Sequence, residues 1–245
     1  MPIGGHVRSP QSHPLQPEAS GGPTRAQTVT LVLLSGVAGW LDALGYLRLG
    51  RVFTSFMTGN VIVAGLAIQD DDHYLLVRAV IALTAWFLGA AAGAYPIRRA
   101  IQRGQTGSLW PVPIGGALWL AWIALLLLGI VWHSVGTPGT NTDARLLIIA
   151  LAAFAMGIQG AAVLALGIPG VATTALPSPR FFGSSNLTDS ESKRMPRWFI
   201  FALILTYALS AFLVASTRNQ TFAHFVPAIA MTVVLVLARS RHHRQ

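Results

Sequence analysis

The sequence predicts an all-α fold: a polytopic helical membrane protein with six spans, two short re-entrant or broken segments, and an inverted repeat of three spans against three. Three observations carry this. Eight apolar runs punctuate the chain, with its charges gathered in the stretches between them. Hydrophobic residues make up 53 % and charged residues only 10 % of 245 residues, against roughly 25 % charged in soluble domains. The 17 Lys and Arg then divide unevenly between alternate loops, as membrane insertion requires.

The runs, in order, are Thr28–Gly50, Val52–Ile68, Leu75–Ile97, Val112–Trp132, Arg145–Ile168, Gly170–Phe182, Trp198–Ser216 and Phe222–Ala238. A crossing of about 30 Å takes about 20 helical residues. The second run opens on Thr54, Ser55, Thr58, Gly59 and Asn60, and the sixth is short and carries Pro177 and Pro179. Both therefore read as re-entrant or broken segments, while the other six read as spans. Residues 1–27 lack the layout of a signal peptide and read as a disordered cytoplasmic tail. Residues 28–238 form one transmembrane domain, with halves at about 28–132 and 145–238, and residues 239–245 a basic tail.

Loop charge supports six spans with both termini in the cytoplasm. Arg8, Arg25, Arg98, Arg99, Arg103, Arg180, Lys193, Arg194, Arg197, Arg239, Arg241 and Arg244 then lie inside. Arg48, Arg51, Arg78, Arg145 and Arg218 lie outside or at the outer boundary, with Asp70, Asp71 and Asp72. Twelve against five is the asymmetry that orients membrane proteins. A basic balance of +9 that serves as a topology signal does not imply a nucleic-acid partner.

Asp42 is the only acidic residue inside an apolar run. A carboxylate at membrane depth costs several kcal/mol unless it faces a protein interior or a watery cavity, so it marks a site for an ion, a proton or a substrate. Asp42→Asn should leave packing intact, because Asp42 is expected to serve function more than folding. The alternative is a carboxylate that only hydrogen-bonds a neighbouring helix.

A weak internal repeat aligns Asp42 with Gln159, Leu49-Gly50 with Leu166-Gly167, and Thr54-Ser55 with Thr173-Thr174. Three spans per half would set the second half upside down relative to the first, the plan of many secondary transporters, whose sites lie at the midplane. The two short segments are then expected to meet beside Asp42 and Gln159, with Gln159 orienting Asp42 or a solute. Thr54, Ser55, Thr58 and Asn60 would offer polar groups at a helix opening that favours an anion or carboxylate. Gly59 would let a ligand approach the backbone. Equally, the hydroxyls could cap the helix and satisfy a broken backbone. Arg48, near the outer end of the first span, is a candidate for recruiting an anion, with snorkelling to the interface as the commoner role.

The stretch Gly39-Trp-Leu-Asp-Ala-Leu-Gly-Tyr-Leu-Arg-Leu-Gly-Arg-Val-Phe-Thr-Ser-Phe-Met-Thr-Gly-Asn60 closely resembles the signature of the YoaK-like family of bacterial membrane proteins. Ala155-Met-Gly-Ile-Gln-Gly-Ala-Ala162 with Leu166-Gly-Ile-Pro-Gly-Val-Ala-Thr-Thr174 resembles its second signature. The resemblance, over about residues 28–238, implies the bacterial inner (cytoplasmic) membrane and a domain of unknown function sometimes labelled a permease. The chain departs from that pattern at Pro177-Ser-Pro-Arg-Phe-Phe182, where a Thr-Gly-Thr-like stretch is usual. It also departs at Gly160, where Asn is usual, and at Leu164 and Ala165, where basic residues are usual.

The leading expectation is therefore a permease for a small solute, proton-coupled through Asp42, with the lipid bilayer as its surroundings. A non-transporting scaffold or a channel is the alternative. A membrane enzyme ranks below both, because Asp42 has no spaced His or Lys partner within a span, and no catalytic residue is assigned. No cofactor is implied. The absence of Cys, of HExxH and of a P-loop leaves no metal or nucleotide signature. The small-residue faces at Gly36, Gly39 and Ala43, at Gly89 and Gly93, and at Gly157, Gly160 and Ala161 read as close helix contacts within one chain. A homo-oligomer through one of them is the alternative.

Overall fold

A computed structural model describes residues 25–103, 112–136, 142–165, 197–216 and 223–239. Seven helices and no strand occur among the described residues: α1 (Arg25–Arg48), α2 (Met57–Gln69), α3 (His73–Gln102), α4 (Val112–Val135), α5 (Thr142–Ala165), α6 (Arg197–Ser216) and α7 (Val226–Arg239). Helix α3 runs on through Pro96. The predicted segment Gly170–Phe182, with Thr173 and Thr174, lies outside the described residues.

Five helices, α1, α3, α4, α5 and α6, are long and apolar enough to cross a bilayer. The run predicted as a sixth span is shorter than expected. Its first residues form a turn at 223–225 and α7 has 14 residues, about 21 Å at 1.5 Å per residue. Pro227, with no N–H to donate, suits the first turn and so favours a late start. Helix α2, with 13 residues, is shorter still, as its polar opening predicts.

Helices α1 and α5 form the centre. Their apolar windows are 61 % and 67 % buried, against 22 % for α3 and 17 % for α6. Around them, α1 packs chiefly on α6 with α7 beside it, α5 packs chiefly on α3 with α4 beside it, and α2 lies along α3. The outer surfaces are strongly apolar: Val61, Ile62 and Leu66 of α2 and Phe201, Leu205 and Phe212 of α6 are exposed. In water such a surface would drive aggregation. Against lipid tails it is the ordinary exterior of a helical bundle.

Small residues set the closest contacts, as the sequence predicts. A Cβ at Gly89 would collide with the Phe154 carbonyl, one at Gly93 with the Ile158 backbone, and one at Gly157 with the Trp86 carbonyl. Helices α3 and α5 therefore touch backbone to backbone, the arrangement that supplies packing energy where lipid removes the hydrophobic drive. Gly39 plays the same part between α1 and the Tyr207 carbonyl of α6. Side chains add links: Ser35 Oγ donates to the Leu203 carbonyl, Trp40 Nε1 to the Ala223 carbonyl and Trp122 Nε1 to Thr232 Oγ1.

The chain leaves α1 through a glycine turn. Gly50 has φ +99°, and Arg51 N–H donates to the Tyr46 carbonyl, the six-to-one bond of a Schellman stop. Residues 52–56 then run back alongside the last turns of α1, and α2 begins at Met57. A three-residue turn, Asp70–Asp72, leads into α3, where the Asp72 carboxylate accepts from Leu75 N–H at 2.9 Å and caps the helix. Because the Arg78 guanidinium rests against Gly50, the end of α1 and the start of α3 share one end of the bundle. The polypeptide therefore climbs α1, dips back to the depth of Asp42, and rises again through α2.

Candidate functional site

Asp42 lies six residues before the end of α1 and is only 3 % exposed. The returning segment 52–56 presents two consecutive backbone N–H groups to it. Its Oδ1 accepts from Thr54 N–H at 2.6 Å, Ser55 N–H at 2.7 Å and the Thr54 hydroxyl at 3.0 Å. Its Oδ2 accepts from the Ser55 hydroxyl at 2.6 Å and the Tyr207 hydroxyl at 2.5 Å. Five donors converge on one side chain.

The opposite side of the same stretch is held by Asn60. Its Oδ1 accepts from Phe53 N–H at 2.8 Å, and its Nδ2 donates to the Phe53 carbonyl at 2.6 Å. Asp42 and Asn60 together thus satisfy the N–H groups of residues 53, 54 and 55, which no helix supplies with partners. Irregular backbone at membrane depth persists only when its polar groups are met in this way. Aromatic rings close the outside, with Tyr46 stacked on Phe53 at 5.6 Å and Phe56 edge-on to Phe53 at 5.6 Å.

Several expectations change against this geometry. Thr54, Ser55 and Asn60 are buried in the site, but the hydroxyls of Thr54 and Ser55 bond Asp42 and do not cap α2, whose N-cap Phe56 has no side-chain cap. Thr58 and Arg48 are exposed and lie outside the shell. Gly59 does not open the backbone to a ligand, since the rings of Phe53 and Phe56 cover it. Gln159 is fully buried on α5, but its Nε2 donates to the Leu34 carbonyl at 3.0 Å. Leu34 is eight residues along α1 from Asp42, about 12 Å, so Gln159 fastens α5 to α1 and does not orient Asp42. Asp42, for its part, also serves the fold, as the staple of an irregular segment, in addition to any functional role.

Tyr207 is the member of the site that sequence reasoning missed. It sits mid-span in α6, where its ring looks like one more apolar group. The available signal was its hydroxyl, because a buried tyrosine O–H usually has a partner. Gly39 and Asp42 stand three residues apart, on one face of α1. The bare Gly39 admits the α6 backbone at Tyr207, and Asp42 receives its hydroxyl. Tyr207→Phe should lower stability by about 1.5–3 kcal/mol, the scale of a hydrogen bond to a charged group, without blocking assembly. Thermal unfolding of the purified chain in detergent checks this, and an unchanged midpoint would place the hydroxyl outside the shell.

Among the described residues, no cluster of three or more His, Cys, Asp or Glu side chains could hold a metal ion. The two oxygens differ in surroundings. Oδ1 faces two backbone N–H groups, which can only donate, together with the Thr54 hydroxyl. Oδ2 faces only the Ser55 and Tyr207 hydroxyls, which can turn to donate or accept.

The family described as "Protein of unknown function (DUF1275)" matches residues 30–238. Over 133 residues the chain is 33 % identical to "UPF0700 transmembrane protein YoaK" of Bacillus subtilis (strain 168), an alignment covering 54 % of this chain and 54 % of that protein. The match thus spans about half the length of that relative. No solved structure matches.

Proposed function

Since the chain belongs to the DUF1275 family of proteins of unknown function, we propose that this membrane protein is a small-solute permease in which Asp42 is the proton-exchanging group. One observation carries the reading: Asp42, the single buried carboxylate among the described residues, lies where the chain returns from a broken helix to meet α1 and α6. Secondary transporters build their sites at such breaks, and a buried ionisable group in a membrane bundle is by default functional.

Two further features support it. Helix α1 packs on α6 and α7 while α5 packs on α3 and α4, and exchanging the halves maps these packings onto each other, as an inverted repeat requires, although the contact of α3 with α4 has no counterpart between α6 and α7 among the described residues. The twelve-to-five division of basic residues favours six crossings, with α7 as the sixth, both termini cytoplasmic, in the bacterial inner membrane. In the cysteine-free chain, single cysteines at Asp71 and Gly104 are expected to label from opposite faces. Labelling from the same face would defeat the six-crossing arrangement.

The direct test is flux. Proteoliposomes carrying the chain, screened against a panel of small metabolites with and without a pH gradient, should accumulate at least one, and Asp42→Asn should remove the dependence on the gradient. A second reading, a non-transporting scaffold, draws on the part Asp42 plays in fastening residues 54 and 55 to α1 and α6. A panel that yields no flux from well-folded protein would favour it.

A further inference from the structure

Arg78 lies in the second turn of α3, and its guanidinium is laid across the bare backbone of Gly50. Its Nε is buried with no hydrogen-bond partner, and among the described residues the side chain donates no hydrogen bond at all. The charges acting on it are Arg145, in the first turn of α5, which repels it, and Asp72, which attracts it. The Asp72 carboxylate is itself engaged in capping α3 at Leu75. A boundary arginine that merely snorkels carries its head into water. Arg78 instead lays its head against Gly50, with Arg145 near enough to repel it and its buried Nε unmet.

A buried donor such as this Nε–H is costly unless an acceptor meets it. Planar guanidinium matches carboxylate and phosphate oxygens two at a time. We propose that Arg78, with Arg145 beside it, is a binding site for an oxyanion, a carboxylate or phosphate group, at this end of the bundle. Glycine at position 50 leaves room for the guanidinium, which a Cβ there would strike, and its φ of +99° disfavours a side chain on conformational grounds as well. The oxyanion has two sources, a free solute or the headgroup of an anionic lipid. Neither depends on transport, so this site and the permease reading fail separately.

The test uses the full chain, delipidated in neutral detergent, with its unfolding temperature followed against inorganic phosphate at ionic strength matched by chloride. A parallel series adds phosphatidylglycerol or phosphatidylcholine to the micelles. Stabilisation by phosphate identifies a free anion as the source. Stabilisation by phosphatidylglycerol alone identifies the headgroup. In either case Arg78→Gln and Arg145→Gln should each weaken the apparent affinity by ~10-fold or more. If Arg78→Gln fails to accumulate, Arg78→Lys keeps the charge without the fork and should still bind more weakly than the parent chain. Absence of both effects, or affinity unchanged in the Gln or Lys variants, overturns the site.

Discussion

Asp42→Ala is expected to lose most of its accumulation in the membrane, whereas Asp42→Asn should accumulate close to the parent level. Alanine leaves the N–H groups of Thr54 and Ser55 buried without acceptors, at about 1–3 kcal/mol each, and strands three hydroxyls as well. A total of about 2–6 kcal/mol is a large share of the 5–15 kcal/mol typical of a folded domain. Asparagine keeps an oxygen for the two backbone donors and turns an amide nitrogen toward Ser55 and Tyr207, whose hydroxyls can rotate to accept. Membrane yield and unfolding temperature of the two variants decide the matter. An alanine variant as stable as the parent chain would show that water replaces the carboxylate. An asparagine variant that fails would show that the fold needs the charge itself.

Gly89→Ala and Gly157→Ala should each destabilise the protein, although the same change elsewhere in a helix is favourable by about 1 kcal/mol. At these two positions the new methyl would overlap a backbone carbonyl of the facing helix, Phe154 in one case and Trp86 in the other. A backbone cannot swing aside as a side chain can, so α3 and α5 must separate, at about 1–3 kcal/mol or more for each overpacked site. Gly65→Ala and Gly116→Ala, where a Cβ meets nothing within 4 Å, are the controls and should be neutral or stabilising. Unfolding temperatures of the four variants give the comparison. If all four behave alike, the close approach of α3 and α5 is not what fastens them.

Hydropathy made the bundle legible, because a 20-residue apolar run has few other fates than a crossing. It failed at α7, where the apolar run includes residues that form a turn before Pro227, a difference of backbone geometry that hydropathy does not register. Asp42 stood out because charge at membrane depth is rare, and Thr54, Ser55 and Asn60 stood out because a hydroxyl- and amide-rich opening to a short run is unusual. Their roles were harder to read. Whether a hydroxyl caps its own helix or bonds a neighbouring one depends on where the chain turns, which Gly50 decides. Gln159 matched Asp42 in a linear alignment, yet the side chains point to different depths of α1. Tyr207 was invisible because its partner lies 165 positions away in the chain.

That separation bears on how the protein is made. The first four donors to Asp42 come from Thr54 and Ser55, twelve and thirteen positions downstream, and at 5–20 residues per second a ribosome delivers them within about 1–3 s. Tyr207 follows roughly 10–30 s later on the same scale. During biogenesis α1 is therefore expected to enter the bilayer together with the hairpin whose donors hydrogen-bond its carboxylate. The last hydroxyl, donated only when α6 arrives, reports that the second half has docked. A nascent chain arrested before Thr54 should insert α1 poorly, and one arrested after α2 should insert it well.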